Sequence, residues 1–262
     1  MTRQAYALPD HKLVIFWTPK AACTSIVSNV CLSILGMEKS YFNNVQGGMR
    51  GWLRRSEYWK DGNDAKALCC SEGYHSIALL RDPYDRLISA FANKYIINSN
   101  RKLTELDELE PMARAFYLNV ISKKANKNPN FYNGITFREF AYSVCERIER
   151  RGANEPKLDH HWNTQVPFSF ENEQFQYDEI YSLKSAHTFF NRIGALTGAQ
   201  IFEEKLNRTK YAGKSERALQ DVLSTEILQL EGFQKSQFKD EEIKKVIDSA
   251  FAVDYKYMDL AN

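Results

Sequence analysis

The chain has 262 residues, 44% hydrophobic and 26% charged, with a formal net charge of +2. That length suits one large domain or a domain with an insertion, and the composition suits a globular protein with a full core. The charge is too small to indicate a nucleic-acid partner.

The N-terminal stretch MTRQAYALPDHK lacks the apolar core of a signal peptide. No apolar run approaches the roughly 20 residues needed to cross a bilayer. The cysteines Cys23, Cys31, Cys69, Cys70 and Cys145 form no Cys-x-x-Cys pair. Together these features predict free thiols and a soluble, cytosolic protein.

Leu13–Trp17 is a continuous apolar run, the pattern of a strand buried on both faces. After TPKAAC, a helix is predicted from Thr24, with Ile26, Val27, Val30, Cys31, Ile34 and Leu35 on one side and Gly36 as its stop. Residues 41–72 read as irregular loop and short helix, either an insertion forming a substrate wall or a plain surface excursion. Ser76–Leu80 is a second buried strand. It runs into Arg81-Asp82-Pro83 and a helix with Leu87, Ile88, Phe91 and Tyr95 on one side.

Further along, a helix is expected around 107–124, followed by the Asn-rich loop KKANKNPNFYNG. Thr136 and Glu139 form a capping box that opens a helix to about residue 150. KLDHHWNTQVPF, residues 157–168, reads as a polar and aromatic loop, Glu179–Leu183 as a strand, and 185–197, 215–231 and 239–253 as helices. Strands alternating with helices imply an α/β fold with a mainly parallel central sheet. Ligands of such sheets bind beyond the C-terminal ends of the strands. The groups after Trp17 and after Leu80 should therefore converge.

Two loops at those ends suit anions. In the first, Lys20 offers a mobile charge, Ala21 and Ala22 allow close backbone approach, and Cys23, Thr24 and Ser25 open a helix whose N–H groups suit a phosphate. The competing reading is a simple helix cap by Thr24 or Ser25 with a solvated Lys20. The arrangement is no Walker A loop, because G-x-x-x-x-G-K-[ST] is absent. In the second loop, Arg81 and Ser89, about two turns into the following helix, could grip one phosphate. A structural ion pair of Arg81 with Asp82 or Asp85 is the alternative.

Taken together, Pro19-Lys20-Ala-Ala-Cys23-Thr24-Ser25 and Arg81-Asp82-Pro83-Tyr84-Asp85-Arg86-Leu87-Ile88-Ser89-Ala90 resemble the sulfotransferases that use 3′-phosphoadenosine 5′-phosphosulfate (PAPS). His161-Trp162-Asn-Thr-Gln165 and Leu206-Asn207-Arg208-Thr209 are most similar to the carbohydrate branch, whose animal members sit in the Golgi. The resemblance covers about 10 to 210. Lys184 stands where that branch commonly has a carboxylate, and no anchor segment is present. A Golgi-lumenal catalytic domain is accordingly the alternative to a cytosolic enzyme.

The resemblance implies a P-loop-like three-layer α/β fold over 1–262, with PAPS as co-substrate, PAP as product and no metal. It assigns Lys20 to the transferring sulfonate and the leaving phosphate oxygen. The 5′-phosphate falls to the loop Ala21–Ser25, the 3′-phosphate to Arg81 and Ser89, and Asn207 and Arg208 join the cofactor site.

An acceptor hydroxyl also needs a general base. His11 and His75 precede strands, so they should lie at the wrong end of the sheet, and His187 falls in a helical pattern. His160 and His161, beside Asp159, are left as a base with its orienting carboxylate, or else as a packed pair. The resemblance favours His161. Glu57, Asp61, Asp64 and Glu72 are lesser substitutes. Arg50, Arg54 and Arg55 could meet an anionic glycan, whereas Arg147, Arg150 and Arg151 end a helix and read as structural. The expected acceptor is a carbohydrate or glycoconjugate. A nucleotide-dependent kinase and a non-catalytic nucleotide- or sulfated-glycan-binding module are the competing readings.

Overall fold

The computed structural model describes residues 4–98, 101–121, 131–150, 158–202, 217–230 and 232–261. In chain order the first strands and helices are β1 (Gln4–Leu8), β2 (Leu13–Trp17), α1 (Cys23–Ser28), α2 (Gly48–Arg55), β3 (Trp59–Asp61), α3 (Gly62–Glu72) and β4 (His75–Leu80). Next come α4 (Pro83–Phe91), the two-residue strands β5 (Ile97–Asn98) and β6 (Arg101–Lys102), α5 (Pro111–Ile121) and α6 (Phe137–Glu149). The last are α7 (Phe168–Asn172), β7 (Glu179–Ser182), α8 (Ala186–Thr197), α9 (Ser224–Ile227), α10 (Glu241–Ala250) and α11 (Ala252–Met258). They fall into two compact units, one of 1–82, 164–208 and 253–262, the other of 83–163 and 209–252.

The first unit is built on a five-stranded sheet of order β3-β1-β2-β4-β7. Its centre is parallel, as expected: Leu13 pairs with His75 and Leu80 with Ser182. Two edge strands, β1 and β3, add antiparallel pairings. Alternation of side chains across the sheet makes three layers. Tyr6, Ile15, Trp17, Ile77 and Leu79 face one core with Ile26, Leu53 and Phe189. Val14, Phe16, Ala78 and Leu80 face another with Phe170, Val253 and Tyr257.

The second unit is helical. Its core centres on Phe91, which meets Phe137, Phe140 and Phe238 at 5.5–5.9 Å between ring centroids. The predicted capping box of α6 is present, with Glu139 N–H donating to Thr136 Oγ1 at 3.1 Å and Thr136 N–H to Glu139 Oε2 at 3.0 Å.

Several expectations need correction. Residues 41–72 are mostly regular: a 3₁₀ turn at Lys39–Asn44, then α2, β3 and α3. Edge pairing to β1 supplies the order that local sequence did not announce. The helix from Thr24 starts at Cys23 and widens into a π-helix over Asn29–Ile34. The stretch 239–253 breaks at Phe251 into two helices. Of 215–231, residues 215, 216 and 231 lie outside the described residues, and the rest contains only the four-residue α9.

Candidate active site

The first phosphate loop leaves β2 in an uncommon backbone conformation. Lys20 has φ 70° and Ala22 φ 50°, both left-handed. A side chain there costs roughly 1–2 kcal/mol per residue. Such strain held at the end of a central strand is a feature of functional loops. Ala22 is the N-cap of α1, and no side chain caps that helix, so the reading of Thr24 or Ser25 as a simple cap is not the observed one. The first turn of α1 brings its N–H groups to the loop. Ala21 is fully buried, and its N–H donates to Thr18 O at 3.2 Å.

The end of β4 converges on this loop, as the parallel sheet requires. Arg81, 8% exposed, donates from Nη1 to the carbonyl oxygen of Lys20 at 2.7 Å. Asp85 pairs with Lys239 at 3.1 Å. Gln165 ties the two strand ends together. Its Nε2 donates to Arg81 O at 2.7 Å, and its Oε1 accepts from Arg81 N–H at 2.9 Å and from Thr18 Oγ1 at 3.3 Å. Buried Asp254 in turn accepts from the backbone N–H of Gln165 and Val166 at 2.7–2.9 Å.

One contributor comes from α2. Arg50 Nη2 lies 3.2 Å from Cys23 Sγ and 3.4 Å from Thr24 Oγ1. Neighbouring Arg55 donates instead to Gln46 O at 3.1 Å. Beside α2, Leu35, Met37, Trp52, Arg55, Ser56, Glu57 and Tyr58 line a cavity of about 460 Å³. Asp61 is occupied as the N-cap of α3, accepting from Asn63 and Asp64 N–H.

In the second unit, Asp159 and His161 form a dyad. Asp159 Oδ1 accepts the His161 backbone N–H at 2.8 Å and lies 2.5 Å from His161 Nδ1. Burial pushes the Asp159 carboxyl up, but hydrogen bonds and charge from His161 outweigh it and hold it at about 2. In the neutral tautomer with its proton on Nδ1, towards Asp159, the His161 ring would leave Nε2 with the lone pair a base needs. The His160 ring lies against that of His161, 4.5 Å between centroids. Ligand atoms of Asp159, His160 and His161 lie within 4.8 Å of one another.

The turn carrying the dyad is held from below. Arg86, fully buried in α4, donates from Nη1 to Asn163 O at 2.6 Å and from Nη2 to His160 O at 2.7 Å. Trp162 packs edge-on to Phe116 and Phe140, each at 5.5 Å. Ser89 is half-buried in the same helix as Arg86.

Lys20 to Ser25 and Arg81 are therefore brought together in the first unit, while His160, His161 and Ser89 belong to the second. Asn207 and Arg208 lie outside the described residues. Arg50, Arg86 and Gln165 have roles that sequence reasoning missed, although Arg86 and Gln165 stand inside quoted motifs. His75 stands at the start of β4, bonded to Glu179 at 2.8 Å, as its position before the strand required. Arg147 stacks on Phe116 at 4.5 Å, and Arg150, exposed, pairs with Glu146 at 2.5 Å; Arg151 lies outside the described residues. All five cysteines are free, and burial pushes Cys31, Cys69 and Cys145 up to about 12. No described helix is long and apolar enough to cross a membrane.

The strained loop, with Arg81 and Arg50 against it, stands at the end of the central strands, where ligands of such sheets bind. The Sulfotransferase family profile matches residues 3–257, and the chain belongs to that family. Over 140 residues, 52% of this chain, it is 29% identical to carbohydrate sulfotransferase 10 of Homo sapiens, covering 36% of that protein's length. No solved structure matches significantly.

Proposed function

We propose that the protein moves a sulfuryl group from PAPS to a hydroxyl of a carbohydrate or glycoconjugate. The observation that carries this reading is the Arg81–Lys20 junction, where two strand ends put a guanidinium against a strained anion loop. The residues fit the donor chemically. Small Ala21 and Ala22 leave room for a close phosphate, and Lys20 and Arg81 supply charge. In the proposed assignment Cys23, Thr24 and Ser25 hold the 5′-phosphate, chiefly through backbone N–H groups. Arg81 and Ser89 hold the 3′-phosphate that separates PAPS from ATP, and Asn207 and Arg208 assist. Lys20 offsets the charge that builds on the leaving phosphate oxygen.

His161, oriented by Asp159, takes the acceptor proton, with His160 as its neighbour. The scheme requires no metal. The acceptor class is inferred from the name of the human relative, supported by Trp52 and Tyr58 in the lining of the cavity beside α2. The 41–72 segment then serves as the acceptor wall of one sulfotransferase domain.

The test is calorimetric titration with adenosine 3′,5′-bisphosphate. Wild type should bind it well above AMP and ATP, and Arg81→Ala should lose at least about tenfold, since a hydrogen bond to a charged group contributes roughly 1.5–3 kcal/mol. Folded protein that fails to bind would end the reading.

A further inference from the structure

We infer that Arg50 is a donor-binding residue, a second cation closing over the phosphosulfate end of the nucleotide. The inference rests on the sulfotransferase reading above.

Four observations carry it. Arg50 is exposed, and among the described residues it joins no carboxylate. Its guanidinium instead rests on a thiol and a hydroxyl, Cys23 Sγ and Thr24 Oγ1, at 3.2 and 3.4 Å. A thiol and a hydroxyl are weaker acceptors than an anionic oxygen. A guanidinium held on such partners at the mouth of an anion loop is placed where phosphate or sulfonate oxygens would outcompete them.

The placement is built in, because α2 is anchored directly after Arg50. Leu53 is fully buried in the core under the sheet. Gly51 presses so closely on the preceding turn that a Cβ there would lie 2.1 Å from Gln46 O. Arg55 binds the same carbonyl oxygen at 3.1 Å. The helix thus has little freedom to carry Arg50 away from Cys23. The chemistry also asks for such a group. A terminal sulfonate and a bridging phosphate spread charge over several oxygens, which a planar fork of donors can span and a lone ammonium at Lys20 cannot.

Titration of adenosine 3′,5′-bisphosphate against wild type, Arg50→Ala, Arg50→Lys and Arg54→Ala tests the inference. Arg54 is an exposed arginine of the same helix and controls for the general field. The expected result is a loss of about tenfold or more in Arg50→Ala, a smaller loss in Arg50→Lys, and nearly wild-type affinity in Arg54→Ala. Ligand-free melting temperatures should be unchanged throughout. Wild-type affinity in Arg50→Ala overturns the role of Arg50 while leaving the donor reading intact. Equal losses in Arg50→Ala and Arg54→Ala overturn it also, since the effect is then only net charge. No binding by wild type overturns the donor reading itself, and this inference with it.

Discussion

The side-chain amide of Gln165 engages both polar groups of the Arg81 backbone, accepting from its N–H at 2.9 Å and donating to its carbonyl at 2.7 Å. It replaces a missing strand neighbour where β4 ends, and so fixes the point from which Arg81 reaches Lys20. Replacing Gln165 by leucine strands a buried N–H and C=O, each worth about 1–3 kcal/mol. Gln165→Leu should lose about 2–4 kcal/mol in urea denaturation. Bisphosphate affinity should fall in the fraction that remains folded.

The dyad predicts a rate effect without a donor-binding effect. His161→Asn should cut kcat by about 10²–10⁴, the usual contribution of a general base. Asp159→Asn should fall in the same direction by less, because the ring stays but its orientation and charge partner are lost. Calorimetry should show bisphosphate affinity unchanged in both. An unaltered kcat in His161→Asn would move the base elsewhere, with Glu57 the next carboxylate to replace.

Arg86 should matter for folding more than for ligand. Its fully buried guanidinium serves two backbone carbonyls of the histidine turn. Arg86→Met should destabilise by about 3–5 kcal/mol, from hydrogen bonds to a charged group. Arg86→Lys should recover little, because one ammonium does not match the fork geometry. Thermal melts of the three proteins decide this.

Acid should weaken the first unit through Glu179. Burial pushes its carboxyl up, yet hydrogen bonds from Arg192, Tyr181 and His75 prevail and lower it from 4.5 to about 2. A depressed carboxylate contributes stability that is fully present above its unfolded value near 4.5 and is lost as pH falls towards 2. Glu179→Gln should be less stable than wild type at neutral pH. Its melting temperature should change less steeply between about pH 5 and 3, and parallel pH profiles of the two proteins would refute the assignment.

Much of the site was legible because it is local. Lys20 and Ser25 stand next to an apolar run with the pattern of a buried strand, and Asp159 and His161 are two residues apart, so one turn suffices to join them. The Pro83 helix start and the Thr136 capping box are likewise written in consecutive residues. The edge strand β1 was not legible, because its order comes from pairing with β2 and β3 rather than from its own pattern. That pairing also gives residues 59–61 a strand within a segment expected to be irregular loop and short helix.

The sequence by itself determined the α/β class, the two loops at the strand ends and the histidine–aspartate turn, since each depends on short-range periodicity or adjacency. Only the tertiary structure decided that Gln165 clasps Arg81 from 84 positions away, that Arg86 grips the histidine turn, and that Arg50 comes to rest on Cys23. Long-range partners are selected by sheet register and core packing, and a polar side chain carries no local mark of the backbone group it will meet.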